Sequence, residues 1–574
     1  MAMKKRKFEI LFIIFLACIL FLYFFSNLKN ISVIWELPDE AGYLYNAAYF
    51  AKKDWTSYAS LGTAYFGYGY SLILVPFFYI CKTGVELIKV AIILNYILVV
   101  CIYFMQIYVF SKIFSKHNMY IISVVAFISN LFPYVMVSAN KVLCETFLLF
   151  QVWLIAIMIY KLISTNKKLY YVIVAIAAVY VYYIHARAIA VTGVVIILVV
   201  LYALMNRDIK RILIFSISLC LSYYVGNLIR ESILVSIQSN NMQNGVEVGN
   251  VINSNFIFQR LLWLFNIKNI KAYIVSACCR SFYIVSSTGL SVIWFLRYMW
   301  NNVVCKISEI KSWENEKWIL LYLGGIFLVM FLLCCLSGAG ISSDFTYTFY
   351  GRYIEYVLVP VVGIGMLAYL EMPVEKKSYA MIGLVILGIV SAMYINYLDT
   401  NIVRADTARI AGFSYWIEKN NNYESFIYSQ TLLLVVIYVI LIAINTKKSK
   451  KIRFFSLALI MVIFLLNDRE CKKIINGVNN GKSCEIEVAE FLINNIEDET
   501  ICFINREYEY KWNCTRMQAL LLNEPMVILS MDDYLNHIEE DYIIAYSNTK
   551  ICEELSEHYA VVLENEAYCI YANK

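Results

Sequence analysis

Apolar side chains fall along this chain in long, nearly unbroken runs, without the alternation or one-sided helical spacing of a water-soluble fold. The runs lie at 8–25, 88–110, 119–137, 146–160, 170–184, 187–205, 212–229, 281–300, 318–336, 354–370, 379–396, 427–444 and 454–467. A helix crossing a bilayer needs roughly 20 apolar residues. The pattern therefore predicts an all-α polytopic membrane protein of about thirteen transmembrane helices. Two shorter stretches, 41–52 and 70–82, are apolar on one side and read as helices lying at the membrane surface.

After residue 467 the pattern changes. Short β-rich runs (Ile501–Ile504, Met526–Leu529, Tyr542–Tyr546, Tyr568–Tyr571) alternate with amphipathic stretches (Glu485–Asn495, Thr515–Leu522, Ile551–His558). That rhythm predicts a small C-terminal α/β domain over 468–574, following a membrane domain over 1–467.

Composition agrees with the pattern and narrows it. Hydrophobic residues make up 61% of the 574 positions and charged residues 16%, against about 25% charged in ordinary soluble domains. The mean hydropathy is +0.65. These figures exclude a soluble enzyme, a disordered chain and a disulfide mini-scaffold. The net charge of +6 conceals two unlike parts: residues 468–574 hold 9 basic and 21 acidic side chains, leaving the remainder strongly basic. Neither part carries the basic, aromatic-interleaved patch of a nucleic-acid binder, so no nucleic acid is expected as partner.

Charge also orients the chain. Alternate connections are basic: Lys112/Lys116, Lys161/Lys167/Lys168, Arg207/Lys210/Arg211, Lys306/Lys311/Lys317, Lys376/Lys377 and Lys447/Lys448/Lys450/Lys451/Arg453, all on the side of Lys4–Lys7. The positive-inside bias puts that side, and the N-terminus, in the cytoplasm. An odd number of spans then leaves the acidic tail extracytoplasmic, together with the long loops 26–87, 230–277 and 397–426. The tail has six of the 16 cysteines. An even count in an external domain points to disulfides, and Cys502 and Cys514, flanking a segment able to fold back as a hairpin, are the expected pair. Buried free thiols are the plainer alternative.

Candidate chemistry collects on the outer side. The first outer loop reads Trp35-Glu36-Leu37-Pro38-Asp39-Glu40-Ala41-Gly42-Tyr43. Asp39 and Glu40 stand at a helix start, where the partial positive charge favours anions. Simple capping would account for them equally. Glu145 opens a later span behind Lys141, and a salt bridge between the two is the bland reading. The third cluster is Tyr347-Thr348-Phe349-Tyr350-Gly351-Arg352-Tyr353-Ile354-Glu355-Tyr356, then Pro360, where another span begins. His185, Arg187 and Arg280 are further outer-face candidates, the first two at a span junction. An arginine at an interface either grips phosphate with its planar fork or snorkels among aromatic residues. There is no P-loop, G-x-S-x-G elbow or Asp-x-Asp, and no repeat of the transporter type.

An Asp-Glu pair directly after the first span, followed by Gly67-Tyr68-Gly69-Tyr70 and Pro76 approaching the second, resembles the first outer loop of GT-C superfamily membrane glycosyltransferases, such as protein O-mannosyltransferases and aminoarabinose transferases. The resemblance covers the architecture of roughly residues 1–470, with specific motifs over about fifty. It implies an integral-membrane glycosyltransferase of cell-envelope glycan or glycolipid synthesis. Such an enzyme moves a hexosyl or pentosyl group, with inversion, from a polyprenyl-phosphate sugar to an acceptor hydroxyl on a glycan, lipid or protein, at the extracytoplasmic face of the cell membrane. Asp39 and Glu40 are then the catalytic candidates. Tyr43, Lys141, Glu145, His185, Arg187, Arg352 and Tyr353 are the substrate-binding ones. No metal ligand is assigned: Asp39, Glu40 and Glu145 could hold Mg or Mn, but the patterns most like this one belong mostly to metal-independent families. The competing readings are a transporter or flippase of lipid-linked glycans, or a glycan polymerase.

Overall fold

The computed structural model describes the chain except residues 1, 36–38, 56–66, 242–258, 260–261, 339–348, 350, 373–378, 398–406, 420–422, 447–449, 497–498, 506–510, 531–539 and 574. Tyr347, Thr348 and Tyr350 of the third motif, and the basic pairs Lys376/Lys377 and Lys447/Lys448, lie outside the described residues.

Each apolar run becomes a helix. The membrane part comprises α1 (Ala2–Phe25), α2 (Asp39–Phe50), α3 (Gly69–Leu74), α4 (Phe77–Ile80), α5 (Gly84–Ile113), α6 (Met119–Asn130), α7 (Pro133–Ala139), α8 (Glu145–Thr165), α9 (Lys168–Ile184), α10 (Ile189–Met205), α11 (Ile209–Asn241), α12 (Ile267–Ser287), α13 (Ser291–Asn302), α14 (Asn315–Gly338), α15 (Glu355–Glu371), α16 (Tyr379–Tyr397), α17 (Ser414–Lys419), α18 (Tyr423–Thr446) and α19 (Lys450–Asn480). Within a bilayer, helices satisfy their own backbone groups, which is why unbroken apolar sequence takes this form.

The chain is a multi-pass membrane protein, but the expected count of about thirteen spans is not reached on length and composition. Among the described residues, seven helices are long and apolar enough to cross, or nine if each of two bent pairs is one span. The run at 119–137 breaks by 61° between α6 and α7, where Pro133 opens a new helix. The run at 281–300 is not one straight span: α12 and α13 meet at 104°. The corner is Gly289 and Leu290, both at positive φ (56° and 71°). The stretch expected to lie at the membrane surface forms α2, covered by other parts of the protein. Residues Glu40 to Ala48 are all buried within the protein.

One continuous apolar core runs through the bundle, with outward-facing side chains such as Leu11, Phe15, Ile217 and Leu221 left exposed on α1 and α11, as helices in contact with lipid require. The composition change at residue 468 falls inside α19, whose second half continues as a polar helix.

The tail contains α20 (Ser483–Asn495), β1 (Ile501–Asn505), α21 (Lys511–Leu521), β2 (Met526–Ser530), β3 (Tyr542–Tyr546), α22 (Lys550–His558), β4 (Tyr559–Glu564) and β5 (Tyr568–Asn573). Its five strands are ordered β2-β1-β3-β5-β4, with β1 parallel to β2 and β3 and the remaining pairs antiparallel. Apolar clusters fill both faces of the sheet, one against α20 and α21 and the other against α22. That arrangement corrects the expected Cys502–Cys514 bridge. Cys502 on β1 points into one cluster and Cys514 on α21 into the other, and all 16 cysteines are free thiols. The tail seats on the first loop. Asn479 Oδ1 accepts the backbone N–H groups of Ser32 and Val33 at 2.8 and 3.2 Å, and Trp55 Nε1 donates to Leu522 O at 2.9 Å.

Candidate active site

Helix ends converge at one end of the bundle. Asp39 opens α2 and Glu145 opens α8. Arg187 lies in the 3-10 turn Ala186–Ala188 between α9 and α10, and Arg352 in the turn before α15. The helices' connectivity puts the basic segments near Lys112, Lys161, Arg207 and Lys311 at the opposite end.

Two glycines of the sequence motifs permit this convergence. A Cβ on Gly351 would fall 2.2 Å from the Tyr283 ring, so only glycine lets the turn carrying Arg352 press against α12. Gly67 has φ +105°, and a Cβ there would lie 2.6 Å from Ile184 O at the end of α9. Its carbonyl accepts the Asn46 side-chain amide at 3.0 Å, tying the loop to α2.

The charged side chains form an alternating row. Arg352 Nη2 meets Asp39 Oδ2 at 2.6 Å and its Nε donates to Glu145 Oε1 at 2.9 Å. Arg187 Nη2 donates to the same Glu145 oxygen at 2.8 Å. The row Asp39–Arg352–Glu145–Arg187 alternates in sign, so the four charges cancel. Neutralising one another is the condition for keeping such groups away from water. Burial is graded along it: the side chain of Glu145 is 1% exposed, that of Arg352 9% and that of Asp39 22%. Asp39 is the end that faces outward. The Arg187 guanidinium lies 5.1 Å from the Tyr353 ring and 5.9 Å from that of Tyr356.

The other expected residues support this row. Glu40, buried, accepts the backbone N–H of Trp35 through Oε2 and of Val142 through Oε1, both at 2.7 Å. It thereby fastens two loops to the first turn of α2. Lys141 does not pair with Glu145: residues 140–144 are not helical, so four-residue spacing brings nothing together, and Lys141 Nζ sits 3.6 Å from the Trp35 ring centroid. Tyr43 is buried and donates to Cys144 Sγ at 2.8 Å. His185 Nδ1 accepts the Arg187 backbone N–H at 3.2 Å and so shapes the turn carrying that arginine. Burial, then the neighbouring Arg187 charge, hold the His185 imidazole well below its ordinary pKa.

Sequence reasoning placed Glu355 in the third cluster without giving it a role, and missed Tyr283. Glu355 is fully buried at the start of α15 and accepts the Tyr283 hydroxyl, whose oxygen in turn accepts the Gly412 N–H at 3.2 Å. The signal was available: Glu355, like Glu145, is an acidic residue at the head of an apolar run. Among the described residues no group of three or more His, Cys, Asp or Glu side chains is arranged to hold a metal ion. Asp39 and Glu145 are engaged by guanidinium groups and Glu40 by backbone amides.

No family profile and no curated protein matches the sequence. Solved structures do match in fold. ArnT from Cupriavidus metallidurans bound to undecaprenyl phosphate is 12% identical, with TM-score 0.50 and 98% of each chain covered. The apo state of the same protein gives 12% identity and TM-score 0.50 over 100% of this chain and 98% of that one. A weaker likeness, 10% identical at TM-score 0.40 over 100% and 75% of the two chains, is to the Archaeoglobus fulgidus oligosaccharyltransferase tethered with an acceptor peptide. At 12% identity over nearly the whole of both chains, what is shared with ArnT is the architecture: the chain has the fold of that protein.

Proposed function

We propose that this protein is an integral-membrane glycosyltransferase that moves a sugar from a polyprenyl-phosphate carrier to an acceptor hydroxyl on the extracytoplasmic face, in the making of a cell-envelope glycan or glycolipid. The observation that carries this reading is the alternating row Asp39–Arg352–Glu145–Arg187, set where helix ends meet and closed by a partly exposed carboxylate. Its fold neighbour ArnT was solved with undecaprenyl phosphate, the kind of carrier the reading requires.

The chemistry needs three things. The lipid needs apolar helices to lie against, and the bundle supplies them. The phosphate needs a permanent cation; Arg352 presents a planar fork suited to it. The acceptor hydroxyl needs a carboxylate base, and Asp39 is the outermost one in the row. Attack from the face opposite the leaving phosphate inverts the anomeric centre. Glu145, gripped by both arginines, fixes their positions. Glu40 has both oxygens committed to backbone amides and acts by holding the loop that carries Asp39. In this reading the N-terminus is cytoplasmic and the acidic tail extracytoplasmic, against the acceptor side of the first loop.

The test is reconstitution. Purified protein in liposomes without an ion gradient is supplied with polyprenyl-phosphate sugars and envelope extracts as acceptors, and products are weighed by mass spectrometry. The reading predicts sugar-bearing product together with free polyprenyl phosphate. Intact lipid-linked sugar appearing in the opposite leaflet, with no cleavage, would show a flippase instead.

A further inference from the structure

Arg352 serves two carboxylates unequally. Its Nε is held by Glu145, which is buried and backed from the other side by Arg187. Its Nη2 is held by Asp39, at the exposed end of the row. An anion arriving from the membrane surface therefore meets the Asp39 arm first, and can take it without disturbing the Glu145 arm. Asp39 gripped at 2.6 Å by a guanidinium is a poor base, because the cation stabilises its carboxylate form and occupies an oxygen lone pair.

We propose that Arg352 is exchanged between Asp39 and the carrier phosphate, so that the arriving donor releases the base and the departing carrier is displaced by it. This rests on the transferase reading above. In the resting protein Asp39 is clamped. Donor phosphate competes for the Nη2 side of Arg352, and Asp39 is freed beside the acceptor hydroxyl. That hydroxyl's proton passes to Asp39 as its oxygen bonds the anomeric carbon. The carbon–oxygen bond to phosphate breaks, and its electron pair leaves with the lipid. The phosphate goes from a diester of charge −1 to a monoester of about −1.5 to −2, which strengthens its hold on Arg352 as the bond breaks. Protonated Asp39 cannot compete for the guanidinium. Once its proton is lost to water the carboxylate reclaims Arg352 and weakens the grip on the spent carrier. Base activation is thereby tied to the presence of donor.

The test is the affinity of the full-length protein in phosphatidylcholine nanodiscs for a polyprenyl monophosphate. Wild type is compared with Asp39→Asn, Arg352→Ala and the double variant, and thermal unfolding is recorded for each. Removing the competing carboxylate should tighten binding on the order of tenfold. Arg352→Ala should weaken it, and in the Arg352→Ala background Asp39→Asn should change nothing. If Asp39→Asn is unstable, Asp39→Ser is measured in the same way. Unchanged or weaker binding by the Asp39 variants overturns the exchange. So does a gain that persists without Arg352, since that would be general charge repulsion. Wild type that binds no polyprenyl monophosphate overturns the transferase reading itself, whereas binding without the coupling overturns the exchange alone.

Discussion

The membrane body and the C-terminal domain handle charge in opposite ways. In the body, charges are sparse, and those at the site are buried or, for Asp39, half-buried, and bound to partners far away in sequence, as Asp39 is to Arg352 and Glu145 to Arg187. In the tail, acidic residues are plentiful and many, such as Glu553, Glu554 and Glu557 on α22, stand on the surface, while the apolar clusters on both sides of the sheet hold the fold. Where the solvent is lipid, an ionised group is costly unless it is paired, so its presence is a statement about chemistry. Where the solvent is water, an acidic residue costs little.

That contrast can be broken most sharply at Glu145. Glu145→Gln leaves two buried guanidinium groups without their shared carboxylate. Removing one partner of a buried pair typically costs about 3–5 kcal/mol, so a marked fall in thermal unfolding temperature and in transfer is expected. Retention of wild-type stability would show that the row is not buried in the membrane-embedded protein.

The seating of the tail comes next. A Cβ at Gly84 would fall 1.9 Å from Ala519 O, so Gly84→Leu should lift the tail from the first loop while α5 stays apolar and helical. The expected readout is faster limited proteolysis of the tail, with reduced transfer. An unchanged cleavage rate would mean the contact does not hold the domain.

A smaller effect is expected at His185. Its pKa is held below the ordinary value in the folded protein. The unfolded chain takes up a proton near pH 6.5 while the folded one does not, so stability declines as pH falls through that region. His185→Asn should flatten this slope in unfolding measured between pH 7.5 and 5.5. The smallest effects belong to the tail. Glu553→Gln and Glu557→Gln should move stability by no more than about 0.5 kcal/mol, and reducing agent should leave it unchanged because its cysteines are free.

The same difference in solvent explains what could be read from the sequence. Helices appear at every apolar run because lipid exposure forces long uniform segments. The tail's strands β1, β2, β3 and β5 fall where β-rich runs alternate with amphipathic ones. Strand β4 was missed because it follows α22 without a turn residue between them and lies at the sheet edge, with Val561 and Val562 exposed. The corner at Gly289–Leu290 was hidden by unbroken hydrophobicity. At the site, the residue types and their shared end of the bundle were legible, since each charge stands at the edge of an apolar run. Their pairing was not: nothing local joins Asp39 to Arg352, and helical spacing misdirected Glu145 toward Lys141. The cysteine pairing failed for a related reason, because nearness along the chain says nothing about which face of a sheet a side chain occupies.

The central claim is that Asp39 is the base of a glycosyl transfer from a lipid phosphate. The most direct measurement is the rate of sugar transfer from a defined polyprenyl-phosphate sugar by reconstituted Asp39→Asn against wild type, with folding verified for both. Loss of a general base predicts a fall of about 10²–10⁴ with an intact fold. Near-wild-type transfer by Asp39→Asn would contradict the account; if Glu40→Gln then lost activity without unfolding, the neighbouring carboxylate would be the base.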